Sequence, residues 1–211
     1  MRYSITTIAG PAFVPVSVSD AKSHLRVFHS QDDAQISDFI IAAINRAQHR
    51  TARQIAAAQF RLSMSCFPGR AIRLPINPVI SVESLVYLDS TGTFQTIPAT
   101  DYRVISDSEP AIVWNYDPNW PTVGDSPDAV QVEFTAGYMA QPSSATFPGE
   151  LRVGILQAVW HMYDNRGEVS TDGISAIPHS AESIFESFGY GDEFEQYGGY
   201  DYEPQYGGVL V

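Results

Sequence analysis

Apolar residues recur at three- and four-residue steps through Ile36, Phe39, Ile40, Ala43, Ile44, Ala47 and Thr51. That period lays one apolar stripe along a long helix, which the pattern carries to about Ala57. A shorter helix is predicted before it. Ser17 or Ser19 is suited to cap its start, Asp20 sits near the positive helix end, and the pattern stops near Leu25-Arg26-Val27. Ser30-Gln31-Asp32-Asp33 reads as a capping box for the long helix. Residues ahead of position 16 read as an extended arm.

From Phe60 the period changes to two. Phe60–Ser65 alternates as a half-buried strand does, and short β-type runs follow at Ala71–Leu74, Val82–Leu88, Phe94–Ile97, Tyr102–Ile105, Ala111–Trp114 and Val130–Thr135. Turn residues separate them, among them Pro68-Gly69, Asn77-Pro78 and Asp89-Ser90-Thr91-Gly92. Gly137 is expected to mark a strand exit with unusual backbone angles. Trp114, Tyr116 and Trp120 read as aromatic plugs over a small β core, or else as a sugar platform. The helical period returns after Pro148 with Leu151, Ile155, Ala158, Val159 and Met162, and a last short helix begins near Pro178.

These elements predict an α+β chain: a small helical bundle interrupted by an antiparallel β sandwich- or barrel-like insert, with an extended C-terminal tail. The expected divisions are an arm at 1–15, a helical domain from 16–58 and 147–188, a β insert at 59–146, and a tail at 189–211. The tail differs in kind, with six Gly, five Tyr, five acids and no Lys or Arg, and Gln-Tyr-Gly-Gly occurs in it twice. Such a segment is expected to order against a partner, and Tyr197, Tyr200, Tyr202 and Tyr206 are its candidate contacts.

Composition narrows the function. The formal net charge is −12, and it is uneven: residues 1–73 hold nine Arg or Lys against four acids, the remainder three Arg against twenty acids. A protein built to grip nucleic acid carries the opposite balance, because phosphate neutralisation supplies most of the affinity. The single cysteine, Cys66, leaves no internal disulfide framework; it is expected to pack as a small hydrophobe. No apolar run approaches membrane-spanning length, and the first fifteen residues make a poor signal peptide. There is no HExxH, phosphate loop, GxSxG or GxGxxG, so no catalytic, cofactor or metal residue is assigned. His24 and His29 beside Asp32 and Asp33 form the one conceivable metal group, with capping and solvation the simpler account of the two acids.

Arg46, Arg50 and Arg53 follow one flank of the long helix at spacings of four and three. They read either as a solvated edge or as a contact with acids of a neighbouring copy.

Several phrases, taken in order, resemble phage head–tail connector (adaptor, or head-completion) proteins that dock on the portal. They are Pro15–Val27, Asp32–Ile36, Leu74–Val82, Phe134-Thr135-Ala136-Gly137-Tyr138 and the helix after Pro148 that ends in Met162-Tyr163-Asp164-Asn165-Arg166. The resemblance spans residues 14–188 and omits the tail. It implies a structural, non-enzymatic subunit of a virion neck, assembled in the bacterial host cytoplasm, in a ring of about twelve copies between portal and stopper or tail-completion protein. DNA would pass through the ring without specific binding, and no cofactor or membrane is implied. In such adaptors the C-terminal segment often reaches the portal. A monomeric module whose β insert recognises a receptor or glycan is the alternative, and a small metal-dependent hydrolase using Asp32, Asp33 and the histidines is a second.

Overall fold

Strict alternation dictates how the central strands pack. In β2 (Ala58–Met64) the residues Ala58, Phe60, Leu62 and Met64 are buried, and in β8 (Val130–Ala136) so are Val130, Val132, Phe134 and Ala136. The two strands are antiparallel, with Phe60 opposite Phe134 and Leu62 opposite Val132. Every inward side chain therefore meets an inward partner directly across the ladder, the arrangement in which cross-strand pairs stabilise a sheet most.

The computed structural model describes residues 3–11, 13–106, 110–115, 120–138, 147–165 and 179–189. Two compact units emerge. Among the described residues one comprises 3–11 and 56–138, the other 13–55 and 147–189.

The β unit holds a five-stranded and a three-stranded sheet, antiparallel throughout. The larger runs β1 (Tyr3–Ala9), β2, β8, β4 (Val79–Leu88), β5 (Phe94–Thr96); the smaller runs β3 (Ala71–Arg73), β7 (Ala111–Trp114), β6 (Tyr102–Ile105). Ile72, Tyr102 and Ile112 of the smaller sheet share one core with Phe60, Leu62, Leu85, Val132 and Phe134 of the larger. This is a small sandwich. The N-terminal residues correct the expected arm: Tyr3–Ala9 pairs with β2 along the edge of the sheet, Ile5 opposite Leu62. Its Thr-rich, half-exposed pattern hid it, since an edge strand with little inward burial lacks clean alternation.

The helical unit is built from α1 (Val18–Leu25), α2 (Asp33–Thr51), α3 (Gly149–Asp164) and α4 (His179–Phe188). Ser17 caps α1 in a full capping box, its hydroxyl accepting from the Asp20 amide at 3.1 Å. The Ser17 hydroxyl in turn holds the Asp20 carboxyl below the ordinary carboxylate range. Asp20 also meets Arg152 of α3 at 2.9 Å.

Two helix limits differ from expectation. Ser30 is not the cap of α2; Asp32 occupies that position without a side-chain capping bond, and the Ser30 carbonyl accepts from the Asp33 amide. At the other end α2 stops at Thr51 rather than near Ala57. Thr51 turns its hydroxyl back to the Ala47 carbonyl at 2.8 Å, and Ala52 adopts left-handed angles with φ 51°. Gln48 then takes the Ile55 amide at 3.0 Å. Side-chain bonds to backbone thus replace the helical ladder where the apolar period fades.

Ile36, Ile40, Ala43, Ile44 and Ala47 of α2 are buried, as are Leu151, Ile155, Ala158 and Val159 of α3. Phe185 of α4 is fully buried. A Cβ at Gly154 would come within 2.9 Å of the Phe185 ring and 3.2 Å of Ile184. Gly154 costs α3 about 1 kcal/mol of helix propensity, and in return α4 approaches closely.

Candidate functional site

α4 is fixed to α2 by the arginine flank. Arg46 donates through Nε to Glu182 Oε1 at 2.7 Å, and its terminal nitrogen bonds the same oxygen. Arg50 Nε stands 2.8 Å from Glu182 Oε2. Arg53 Nε donates to the Phe188 carbonyl at 2.9 Å, neutralising the C-terminal end of α4 where the helix dipole is negative. Arg46 and Arg50 share one face of α2 because their spacing of four follows the helical period, whereas Arg53 lies beyond the left-handed Ala52 that ends the helix. A single acid whose side chain is largely buried collects the first two, while each of those two arginine side chains stays two-fifths or more exposed. Sequence reasoning singled out the arginines and missed Glu182. Its position in the first turn of a short helix carried no pairing signal, because the partner lies more than 130 residues earlier.

Asp32 and Asp33 are also occupied, and not by capping. Tyr163 Oη donates to Asp32 at 2.6 Å and Lys22 Nζ meets Asp33 at 2.7 Å, so the pair ties α3 and α1 to the start of α2. His24 and His29 are exposed. His161 Nδ1 lies 3.0 Å from the Asn165 amide nitrogen. Among the described residues no three His, Cys, Asp or Glu side chains converge as metal ligands, and no helix is long and apolar enough to cross a membrane.

In the β unit Trp120 stacks on Phe67 at 4.6 Å between ring centroids, with Trp114 edge-on at 5.0 Å. Its indole N–H donates to the Gly69 carbonyl at 2.6 Å. One face, one edge and the polar handle of Trp120 are thus committed internally, the arrangement of a plug. Tyr116 lies outside the described residues. Cys66 corrects its expected burial: it is exposed, on the rim of an open depression of about 630 Å³ beside Phe67, Arg70 and Trp120. It lies two residues past the end of β2, outside the alternation that buries Leu62 and Met64.

Gly137 leaves β8 at φ 142°, and a Cβ there would stand 2.6 Å from the Ala57 backbone. Only glycine satisfies both conditions. Tyr197, Tyr200, Tyr202 and Tyr206, with the rest of the tail beyond Gly189, lie outside the described residues.

The helical unit also presents features that the sequence did not single out. On α3 the positions Glu150, Val153, Gln157, Trp160 and Asp164 form one stripe at helical spacing. Val153 and Trp160 are 46% and 47% exposed, and Gln157 Oε1 is buried without a hydrogen-bond partner. Between α1 and α2, Phe28 is 94% exposed. None of these groups forms a catalytic constellation; what stands out is surface suited to protein contact.

No protein-family model matches the chain, and no curated protein matches its sequence. Solved structures do match in fold. A chain from the neck of an empty gene transfer agent particle, computed with C6 symmetry, is similar with a TM-score of 0.72 and 23% identity, over 88% of this chain and 95% of that one. Two further chains, from the virion of a native gene transfer agent particle and from its neck computed with C12 symmetry, give TM-scores of 0.70 at 24% identity, covering 88% of this chain and 94% of theirs. The chain therefore has the fold of those particle components, from its sandwich to its helices.

Proposed function

We propose that this protein is a structural subunit of a phage-type neck, a head–tail connector that forms a ring of about twelve copies between the portal and the stopper or tail. The observation that carries the reading is the match of nearly the whole chain to neck chains of a phage-like particle, at TM-scores of 0.70 to 0.72. The surface chemistry supports it. Charged side chains in the helical unit hold its helices together, and the net charge of −12 suits a passage along which DNA slides without being gripped.

In this reading the protein is no enzyme and needs no cofactor. Its partners are the portal, copies of itself, and the stopper or tail-completion protein, and it sits in the neck of a virion assembled in the host cytoplasm. Arg46, Arg50 and Arg53 belong to the subunit interface, oriented by Glu182 and the end of α4. Tyr197, Tyr200, Tyr202 and Tyr206 supply the portal contact of the tail, where many simultaneous attachments around a ring multiply a weak one.

Co-expression with a portal protein from the same source tests the reading. Light scattering and electron microscopy of the purified complex should show a closed ring of this chain on the portal. A chain that stays monomeric beside an assembled portal would sink it. Deleting residues 189–211 should weaken capture by the portal at least tenfold, and unchanged capture would remove the tail from the account.

A further inference from the structure

We infer that the exposed Phe28 loop of one copy docks on the outward stripe of α3 of the next copy, with Phe28 seated between Val153 and Trp160. This rests on the ring reading above and adds to its arginine flank a second pair of surfaces that would join neighbouring copies.

The two patches are chemically complementary. Phe28 is 94% exposed, an unusual state for a large aromatic on a fixed loop. The loop is held at both ends: the Val27 amide donates to the Lys22 carbonyl at 3.0 Å, and the Ser30 carbonyl accepts from the Asp33 amide at 3.3 Å. Arg26 has left-handed angles, φ 58°, that end α1 just before the loop. Ordering such a knob costs little on association, because the loop is already fixed. Its flanks are basic or titratable: His24, Arg26 and His29, all exposed.

The α3 stripe has the opposite sign. Its apolar centre, Val153 and Trp160, is bounded by exposed Glu150 at one end and exposed Asp164 at the other. Those acids stand about 21 Å apart along the helix, a span that accommodates an aromatic side chain and the cations beside it. Exposed tryptophan next to aliphatic surface is the composition of an interface anchor. A second stripe could not satisfy the first, since both carry acids at their ends, and two Phe28 loops would bring Arg26 against Arg26. Charge therefore selects loop on stripe, which is a heterologous contact. Only heterologous contacts propagate around a ring of many copies. The chain's own tail is a poor occupant of the stripe: residues 189–211 hold five acids and no Lys or Arg.

Disulfide trapping between copies tests this in the full-length chain, with Cys66→Ser to remove the exposed native thiol. Phe28→Cys and Trp160→Cys are made separately, mixed at high protein concentration and mildly oxidised. The mixed disulfide should exceed either like-with-like disulfide at least tenfold, and Phe28→Asp should abolish the association measured by sedimentation. Equal trapping of like and unlike pairs, or association unchanged by Phe28→Asp, would overturn the docking while leaving the ring reading intact. A wild-type chain that neither self-associates nor forms a ring on its portal would remove both. If the thiol introduced by Trp160→Cys reacts slowly with a soluble reagent in the monomer, the stripe is covered by the chain itself, and that too would overturn the docking.

Discussion

Arg50 Nε lies 2.8 Å from Glu182 Oε2, on the carboxylate whose other oxygen takes Arg46. One acid thus joins α4 to two successive turns of α2. Arg50→Glu together with Arg53→Glu would probe a seam between copies, but in this geometry it also removes two of the three arginine ties that hold α4, leaving Arg46. The sharper variant is Glu182→Gln, which keeps shape and removes charge. Breaking a pair in which one partner is largely buried and the other half-exposed falls between the surface and buried limits, about 2 kcal/mol. Amides of α4 should exchange hydrogen faster while those in the middle of α2 keep their protection. Uniform exchange across the helical unit would show that Glu182 does not hold α4 specifically.

Gly137→Ala is expected to destabilise the β unit by about 3 kcal/mol, because a side chain at φ 142° is strained and its Cβ would press on the Ala57 backbone. Gly149→Ala is the control. It lies in the first turn of α3 with nothing within 4 Å of the added carbon, so the change should be neutral or slightly stabilising. Denaturant midpoints of the two variants should move in opposite directions, or only the first should move. Equal losses would show that neither space nor backbone angle matters at Gly137.

The turn at Asp89 makes stability depend on acid. The Thr91 hydroxyl donates to Oδ1 at 2.6 Å, the Thr93 amide to the same oxygen at 3.0 Å, and Gln95 to Oδ2 at 2.9 Å. These bonds, the Thr91 hydroxyl foremost, hold the Asp89 carboxyl far below the ordinary carboxylate range. A carboxyl depressed in the folded state contributes stability above its unfolded value, about 3.9, and loses it as pH falls toward the folded value. The stability gap between the native chain and Asp89→Asn should therefore be full at about pH 6 and shrink steadily below about pH 4. A gap that does not change across that range would mean the carboxylate's charge has no part in the turn.

Much of this architecture is legible in the residues. Seven of the strands follow from alternation and turn residues, two of them, Tyr102–Ile105 and Ala111–Trp114, to the residue. The long stripe from Ile36 gives α2, and the requirement for glycine at Gly137 can be read from its place at a strand exit. The misses share a physical cause. β1 lies at a sheet edge, where one side of the strand faces solvent and the pattern dissolves. Glu182, Asp32 and Asp33 act through partners away from their own stretch of chain, and a solvated acid has the same local signature as a paired one. Phe28 and Trp160 are apolar residues whose exposure no periodicity reveals, because the apolar period does not distinguish a core face from an exposed one. Only the folded chain shows them at the surface, and they are the residues on which the proposed contact depends.

Phe134 and Phe94 offer a last test, of where the sandwich keeps its stability. Phe134 is fully buried in β8, its ring 5.8 Å from that of Phe60 across the ladder. Phe94 begins the edge strand β5 and is half exposed. Truncating the first removes burial and a ring contact and leaves a cavity between two sheets that cannot easily close, so Phe134→Ala should cost about 4 kcal/mol. Phe94→Ala removes area that water already reaches on one side and leaves no enclosed void, so it should cost less than about 1 kcal/mol. Urea denaturation followed by the β-unit tryptophans, Trp114 and Trp120, reads both. If the edge substitution proves as damaging as the central one, the sandwich draws its stability from its edge as much as from the Phe60–Phe134 centre, and burial does not rank these positions.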